Sequence, residues 1–320
     1  MSIASAPALL DPSLFEDVPC YACGSRSAEE LVTAEDDLTG KPGRFRFVTC
    51  RGCGLAYQSP RIIRERIQEY YDDEYIAHRK KTDWGIMTPL YNFAMAGHDR
   101  RKAKIVRNYV SLGRDSQVLD VGCAAGTFLL KIRALYGSTI TGVDFKDLSS
   151  SPGFDQIEFH CGFFHKQKVG TERFDLITMW HFLEHDYEPS LTLEKGRAAL
   201  KESGRLIIEV PRLDSVTFSL YRERWPGLQA PQHTVLYSKE TLLSFMVKAR
   251  LEVVDYLPYG AFPAYFYLFA GAAFKRLKGK GLNLSKAIYP YFSGQLLLSP
   301  LLLFERQLNL AMQTVICRRG

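Results

Sequence analysis

The stretch SQVLDVGCAAGTFLLKIRALYG, Ser116–Gly137, constrains the fold of this chain more than any other. Val118 to Val121 is a short buried-strand pattern, Gly122 to Gly126 is a turn of small residues, and Thr127 to Leu135 continues with helical periodicity. Such a turn places backbone N–H groups at a helix N-terminus, where a ligand can approach because no side chain obstructs it. The next strand pattern, STITGVDF, ends in Asp144 and Phe145, and Asp144 stands 18 residues after Gly126. An acid there is placed to accept hydrogen bonds from ribose hydroxyls.

A fourth strand pattern runs into polar residues in FDLITMWHFLEHDYEP, and a fifth is GRLIIEVP. Ligands bind at the carboxyl ends of strands in open parallel sheets, so Trp180, His181, Glu184 and His185 are site candidates. For each histidine the competing reading is a helix cap or a packed, hydrogen-bonded ring. With VLDVGCAAG and TGVDF, these segments follow the order and spacing of class I S-adenosylmethionine-dependent methyltransferases, which residues 115–257 resemble. The resemblance implies an α/β fold with a Rossmann-like sheet of seven strands. It further implies that Asp120, Gly122, Ala124 and Gly126 form the cofactor turn, Ala124 replacing the family's middle glycine. Asp144, Phe145, Phe163, Trp180 and His181 are the remaining cofactor-side candidates, and Phe163 stands where many relatives carry an acid that contacts the adenine amino group. In relatives that include ubiquinone-pathway O-methyltransferases and deoxysugar C-methyltransferases, the LEH region lies beside the sulfonium and the acceptor. The rival reading, a nicotinamide-dependent oxidoreductase, calls for GxGxxG, and this turn lacks it.

Toward the N-terminus, CYAC (Cys20, Cys23) is answered by CRGC (Cys50, Cys53), each pair followed by a glycine. Two such knuckles present four thiolates tetrahedrally, which predicts a structural zinc ribbon; an iron or redox site is the alternative. Between them RFRFVTC alternates like a strand. The expected organisation is a ribbon over 1–60, a helical linker or lid over 61–112, and the methyltransferase domain over 113–320. The linker helices are expected to carry Ile62, Ile63, Ile67, Tyr70, Tyr71, Ile105, Val106, Tyr109 and Val110 on their apolar positions.

Beyond the fifth strand, WPGLQAPQHTVLYS resembles a segment of zinc-ribbon methyltransferases of sugar and polysaccharide pathways. His233 in it is the candidate general base, because a neutral imidazole can take a proton near pH 7; His185 and Glu184 are the other catalytic candidates. A structural His233 that anchors the loop is the competing reading. Ser238 ahead of Glu240 and Thr241 marks a helix start.

LEVVDYL and NLAMQTVICRRG read as the last two strands, which makes 258–308 an insertion between neighbours, expected as a helical hairpin. From Pro258 onward eight Lys/Arg face one acid, so the net charge of +6 sits with the apolar segment. Basic residues interleaved with long aliphatic runs argue against a nucleic-acid surface. The apolar runs, broken by Pro263, Pro290 and Pro300, are short for a spanning helix. With Tyr265, Tyr267, Tyr289 and Tyr291 beside clustered cations, they fit a segment lying in a membrane interface; a homodimer contact or an added packing layer are the alternatives. No secretory signal is visible, which gives the expectation of a cytoplasmic protein at the inner face of the membrane. The expected reaction is transfer of a methyl group from S-adenosylmethionine to an oxygen, or a carbon, of a lipid-linked or glycan-related acceptor. A soluble nucleotide-deoxysugar methyltransferase and a non-catalytic binding protein are the rivals.

Overall fold

The structure is a computed structural model and describes residues 11–71, 88–298, 300 and 304–320. The N-terminal ribbon contains β1 (Phe15–Glu16), β2 (Ala28–Ala34), β3 (Phe45–Cys50), β4 (Ala56–Gln58) and β5 (Arg61–Ile62). After Cys23 and Cys53, Gly24 and Gly54 take φ of 72° and 73°, which lets their N–H groups donate to the carbonyls of Cys20 (2.8 Å) and Cys50 (2.9 Å). The expected helix at residue 61 is instead β5, antiparallel to β1. Helix begins only after Ile63, as α1 (Arg64–Ile67), because Ile62 is drawn into the ribbon's apolar cluster and is fully buried. The part of the expected helical segment over 72–87 lies outside the described residues.

From α2 (Thr88–Tyr109) the chain alternates strand and helix: β6 (Gln117–Val121), α3 (Thr127–Tyr136), β7 (Thr139–Asp144), β8 (Glu158–Cys161), β9 (Phe174–Trp180), α4 (Pro189–Ala199) and β10 (Leu200–Pro211). Then follow α5 (Val216–Tyr221), β11 (Val235–Leu236), α6 (Lys239–Lys248), β12 (Leu251–Leu257), α7 (Ala264–Leu277), α8 (Leu284–Leu297) and β13 (Met312–Arg319). The seven-stranded sheet has the order β12-β13-β10-β9-β6-β7-β8. Its strands run parallel except β13, which is antiparallel to both β10 and β12. This is the α/β sheet expected from the sequence.

Side chains that alternate along the strands feed two cores. Leu119, Val121, Ile177, Leu206 and Ile208 face one layer with Phe245 and Met246 of α6 and with Cys20, Val48 and Tyr57 of the ribbon. Val118, Leu176, Ile207 and Ile316 face the other, with Val106 of α2 and Phe128, Leu129 and Ile132 of α3. The ribbon is thus packed into the main core, and β11 adds a fourth strand to its sheet beside β4. Ser238 caps α6 in a capping box with Thr241, as the sequence predicts.

The insertion forms the expected hairpin, α7 followed by α8. Its turn docks inside the molecule: Leu282 N–H donates to the Leu38 carbonyl (3.0 Å) and Gly279 N–H to Asp37 Oδ1 (2.9 Å) of the ribbon. Among the described residues no helix is long and apolar enough to cross a membrane. A third apolar cluster joins Phe45 and Phe47 of the ribbon, Trp225 and Tyr221, and Ala264 and Tyr267 of α7. Helix α7 lies so close to α5 that a Cβ at Gly271 would overlap the Tyr221 ring. Gly271→Ala is therefore expected to destabilise the fold by about 1–3 kcal/mol through overpacking, read as a lower urea midpoint; an unchanged midpoint would show that α7 is not seated this tightly.

Candidate active site

At the carboxyl ends of β6 and β7 the turn predicted from the sequence is a cradle. Gly122, Ala124 and Gly126 have φ of 77°, 45° and 69°, and Ala124 N–H donates to Asp144 Oδ2 (2.9 Å) while Lys146 N–H donates to Oδ1 (3.0 Å). Asp144 is thereby fixed, with carboxylate lone pairs left for a ligand. A Cβ at Gly122 would stand 2.8 Å from the Phe182 ring, so the backbone is bare where Phe182 closes over it.

Two cavities meet at this turn. The smaller, about 130 Å³, is lined by Asp144, Phe145, Phe163, Tyr71 and Asp186; the larger, about 290 Å³, by Asp120, Lys102, Trp180, His233 and the aromatic side chains of 262–274. Gly122, Ala124, His181 and His185 line both. The set fits S-adenosylmethionine. The smaller cavity, with Asp144 in its wall, could hold the adenosine side. Beyond the turn, the Trp180 indole N–H is buried without a partner, and the Lys102 ammonium lies 5.5 Å from the Trp180 ring centre. Donor and cation together suit the carboxylate of an amino acid.

His181, at φ 54°, stands between two buried carboxylates: Nε2 is 3.0 Å from Glu209 Oε1 and Nδ1 is 3.6 Å from Glu184 Oε1. Burial opposes its charge, but the two carboxylates outweigh burial and raise its pKa to about 9. Glu209 also accepts from the N–H groups of Ala261 (2.6 Å) and Phe262 (3.0 Å). Burial counts against its ionised form, yet the His181 partner brings its pKa down overall. His185 and His233 pack edge to face with ring centres 4.4 Å apart. Burial depresses both to about 3, so both are neutral imidazoles. Glu184 is buried and does not line either cavity. The structure thus brings His181, Glu184, His185 and His233 together, although His233 comes from a segment nearly 50 residues further along the chain.

Sequence reasoning missed Glu209 and, in the larger cavity, Lys102, His98 and the ribbon residues Glu35, Asp37 and Leu38. Glu209 had a readable signal, since a charge inside the apolar run LIIEVP demands a buried partner. The ribbon contribution had none, because it depends on long-range packing. In the ribbon itself, Sγ atoms of Cys20 and Cys53 are 3.4 Å apart and those of Cys23 and Cys50 3.5 Å. Four thiols this close suit a tetrahedral ion with bonds of about 2.3 Å.

The family profile described as a methyltransferase domain matches residues 95–256, half of the chain. The chain belongs to that methyltransferase family. The strand order and glycine turn of this methyltransferase are those of the class I, S-adenosylmethionine-dependent branch. A ubiquinone biosynthesis O-methyltransferase of Coxiella burnetii is 30% identical over 112 residues, spanning 33% of this chain and 47% of that protein. This methyltransferase therefore matches about half the length of its curated relative. Among solved structures, geranyl diphosphate C-methyltransferase from Streptomyces coelicolor A3(2) aligns with a TM-score of 0.47 at 12% identity, covering 69% of this chain and 79% of that one. Haemonchus contortus phosphoethanolamine N-methyltransferase 2 gives 0.48 at 13%, covering 69% and 52%. At that level of similarity no ligand, acceptor or activity is carried across.

Asp120 supplies a test of the cradle's electrostatics. Burial raises its pKa from 3.8 to about 7, against the pull of Lys102 and a hydrogen bond from Thr178. Between these values the folded state holds a proton that the unfolded state has lost, so Asp120 makes stability fall as pH rises to about 7 and adds no further slope above it. Asp120→Asn is expected to remove that component, seen as a flatter profile of urea midpoints between about pH 5.5 and 7.5. The same slope in both proteins would mean that Asp120 is ionised throughout.

Proposed function

We propose that this protein transfers a methyl group from S-adenosylmethionine to a hydroxyl oxygen of an amphipathic acceptor, lipid-linked or glycan-related, taken up at a membrane surface. One observation carries the reading. The larger cavity is lined together by the cofactor turn, by His185 and His233, and by Phe262, Phe266, Tyr267 and Phe274 of the insertion. An apolar acceptor body suits those aromatic walls, and its polar end then reaches the imidazole pair. The relative named for ubiquinone biosynthesis supports oxygen as the atom methylated.

Bound S-adenosylmethionine supplies an electrophilic methyl group on a sulfonium. Asp144 would hold the ribose side, and Lys102 with the Trp180 indole N–H would hold the amino-acid carboxylate. Alignment of acceptor oxygen, methyl carbon and sulfur is the main contribution of the site. In the transfer the acceptor oxygen would bond to the methyl carbon, the carbon–sulfur electron pair would return to sulfur, and the O–H proton would pass to water at the His185 and His233 end. His181 and Glu209 hold the strand end and the insertion in register. The ribbon is read as a zinc site that supports the cavity wall, since four ligands leave no position for a substrate.

Exposed Tyr289, Leu296, Leu297 and Phe304 lie on the insertion together with the exposed cations Lys275, Arg276, Lys278 and Lys280. Apolar and basic side chains on one segment suit the interface of an anionic bilayer. With methyl-labelled S-adenosylmethionine and a lysate of source cells, label is expected in the organic phase; label confined to water-soluble small molecules would overturn the amphipathic acceptor. His233→Ala is expected to lower turnover by roughly 10²–10⁴-fold while cofactor affinity, measured by calorimetry, stays near that of the wild type.

A further inference from the structure

We infer that Glu184, His185 and His233 bind a divalent transition-metal ion at which the acceptor hydroxyl ionises. The inference rests on the methyltransferase reading above and deepens it by giving the two imidazoles the role of ligands. The three residues each offer one ligating atom, and these atoms all lie within 4.8 Å of one another. A transition-metal ion held by the set would need bonds of about 2.1 Å to each imidazole.

Protonation is set by the backbone. His233 Nδ1 lies 2.8 Å from the Gly227 carbonyl and His185 Nδ1 lies 3.1 Å from the Gln232 carbonyl. A carbonyl only accepts, so each Nδ1 carries the hydrogen and each Nε2 keeps its lone pair. The Tyr71 hydroxyl, 2.8 Å from His185 Nδ1 and 3.5 Å from the Gln232 carbonyl oxygen, accepts from the ring and donates to that carbonyl. A ring N–H given to a carbonyl is how metal-ligating histidines are oriented.

The third member, Glu184, is 1% exposed. It has a counter-charge in His181 but no hydrogen bond on either oxygen. Its nearest cation, His181 Nδ1 at 3.6 Å, stands beyond hydrogen-bond reach. The His181 charge offsets part of the cost of burying this carboxylate, and both oxygens keep lone pairs for a further ligand. The main chain also holds the set in advance, since the Glu184 carbonyl accepts the Thr234 N–H at 2.8 Å. That bond fixes residues 184–185 against 233–234.

Two imidazoles and one carboxylate suit zinc, iron, cobalt or manganese better than calcium or magnesium, which favour all-oxygen shells. Three protein ligands leave an open position, and His185 and His233 both line the larger cavity, where the acceptor would enter. The acceptor hydroxyl coordinates there, its O–H bond breaks with the proton passing to water, and the metal-held oxygen displaces sulfur from the methyl carbon. The ion is unchanged at the end of the cycle.

Cobalt(II) is a suitable probe, added to full-length protein that retains its ribbon metal and then cleared of excess by gel filtration. Elemental analysis is expected to find one cobalt per chain beside the ribbon ion. Glu184→Gln and His233→Asn should each lower bound cobalt at least tenfold while ribbon metal and S-adenosylmethionine affinity stay at wild-type values. No cobalt on the wild type, or undiminished cobalt on both variants, would overturn the site. If both variants lose the ribbon ion as well, they have unfolded and the wild-type count decides. Absent cobalt with intact methyl transfer removes the metal alone, whereas wild-type protein that does not bind S-adenosylmethionine removes the methyltransferase reading itself.

Discussion

The buried carboxylate of Glu209 joins the two halves of the site. It sits in β10 with no solvent exposure, beside the His181 ring and under the N–H groups of Ala261 and Phe262. His181 belongs to the strand end that faces the cofactor turn, while Phe262 begins the aromatic wall of the insertion. A shift of the carboxylate would be felt on both sides. Gly260 shows how little room is left, because a Cβ there would stand 2.7 Å from the Glu209 carboxyl carbon. An ion placed this deep tends not to add stability over an apolar substitute, but it fixes geometry, since removing either partner strands a buried charge.

A second junction involves Glu35 and Asp37, which also line the larger cavity. Arg224 reaches Asp37 (2.6 Å) and Glu35 (2.8 Å) of the ribbon, and Asp37 also receives the N–H of Gly279 from the hairpin turn. Ribbon, 222–229 loop and insertion therefore share one contact. Surface ion pairs contribute little to stability, but Asp37 is buried and serves two segments, so this pairing fixes their geometry. The hairpin turn enters this contact through the Gly279 backbone, while Lys275, Arg276, Lys278 and Lys280 stay exposed.

Much of the fold is legible in the sequence. The run from Gln117 to Asp144 dictates strand, bare turn, helix and second strand through patterns spanning a few residues, and the paired CxxC knuckles do the same for the ribbon. Arg61–Ile62 misled because an isoleucine-rich run satisfies helical spacing and strand pairing equally, and only the distant Phe15–Glu16 decides between them. The meeting of His185 with His233, and the entry of Glu35 and Asp37 into the cavity, depend on contacts between segments far apart in the chain. Single-sequence periodicity holds no record of those.

The strand that completes the ribbon sheet has a consequence for how the chain comes off the ribosome. β2, β3 and β4 emerge early, but β4 finds its outer neighbour only when Val235 and Leu236 arrive, after most of the central sheet. Until then its backbone amides and carbonyls form an unpaired edge, the kind of surface on which other chains assemble. The ribbon is therefore a poor candidate for excision or for grafting as an autonomous module. A nascent chain halted before residue 235 would carry an open edge into a crowded cell.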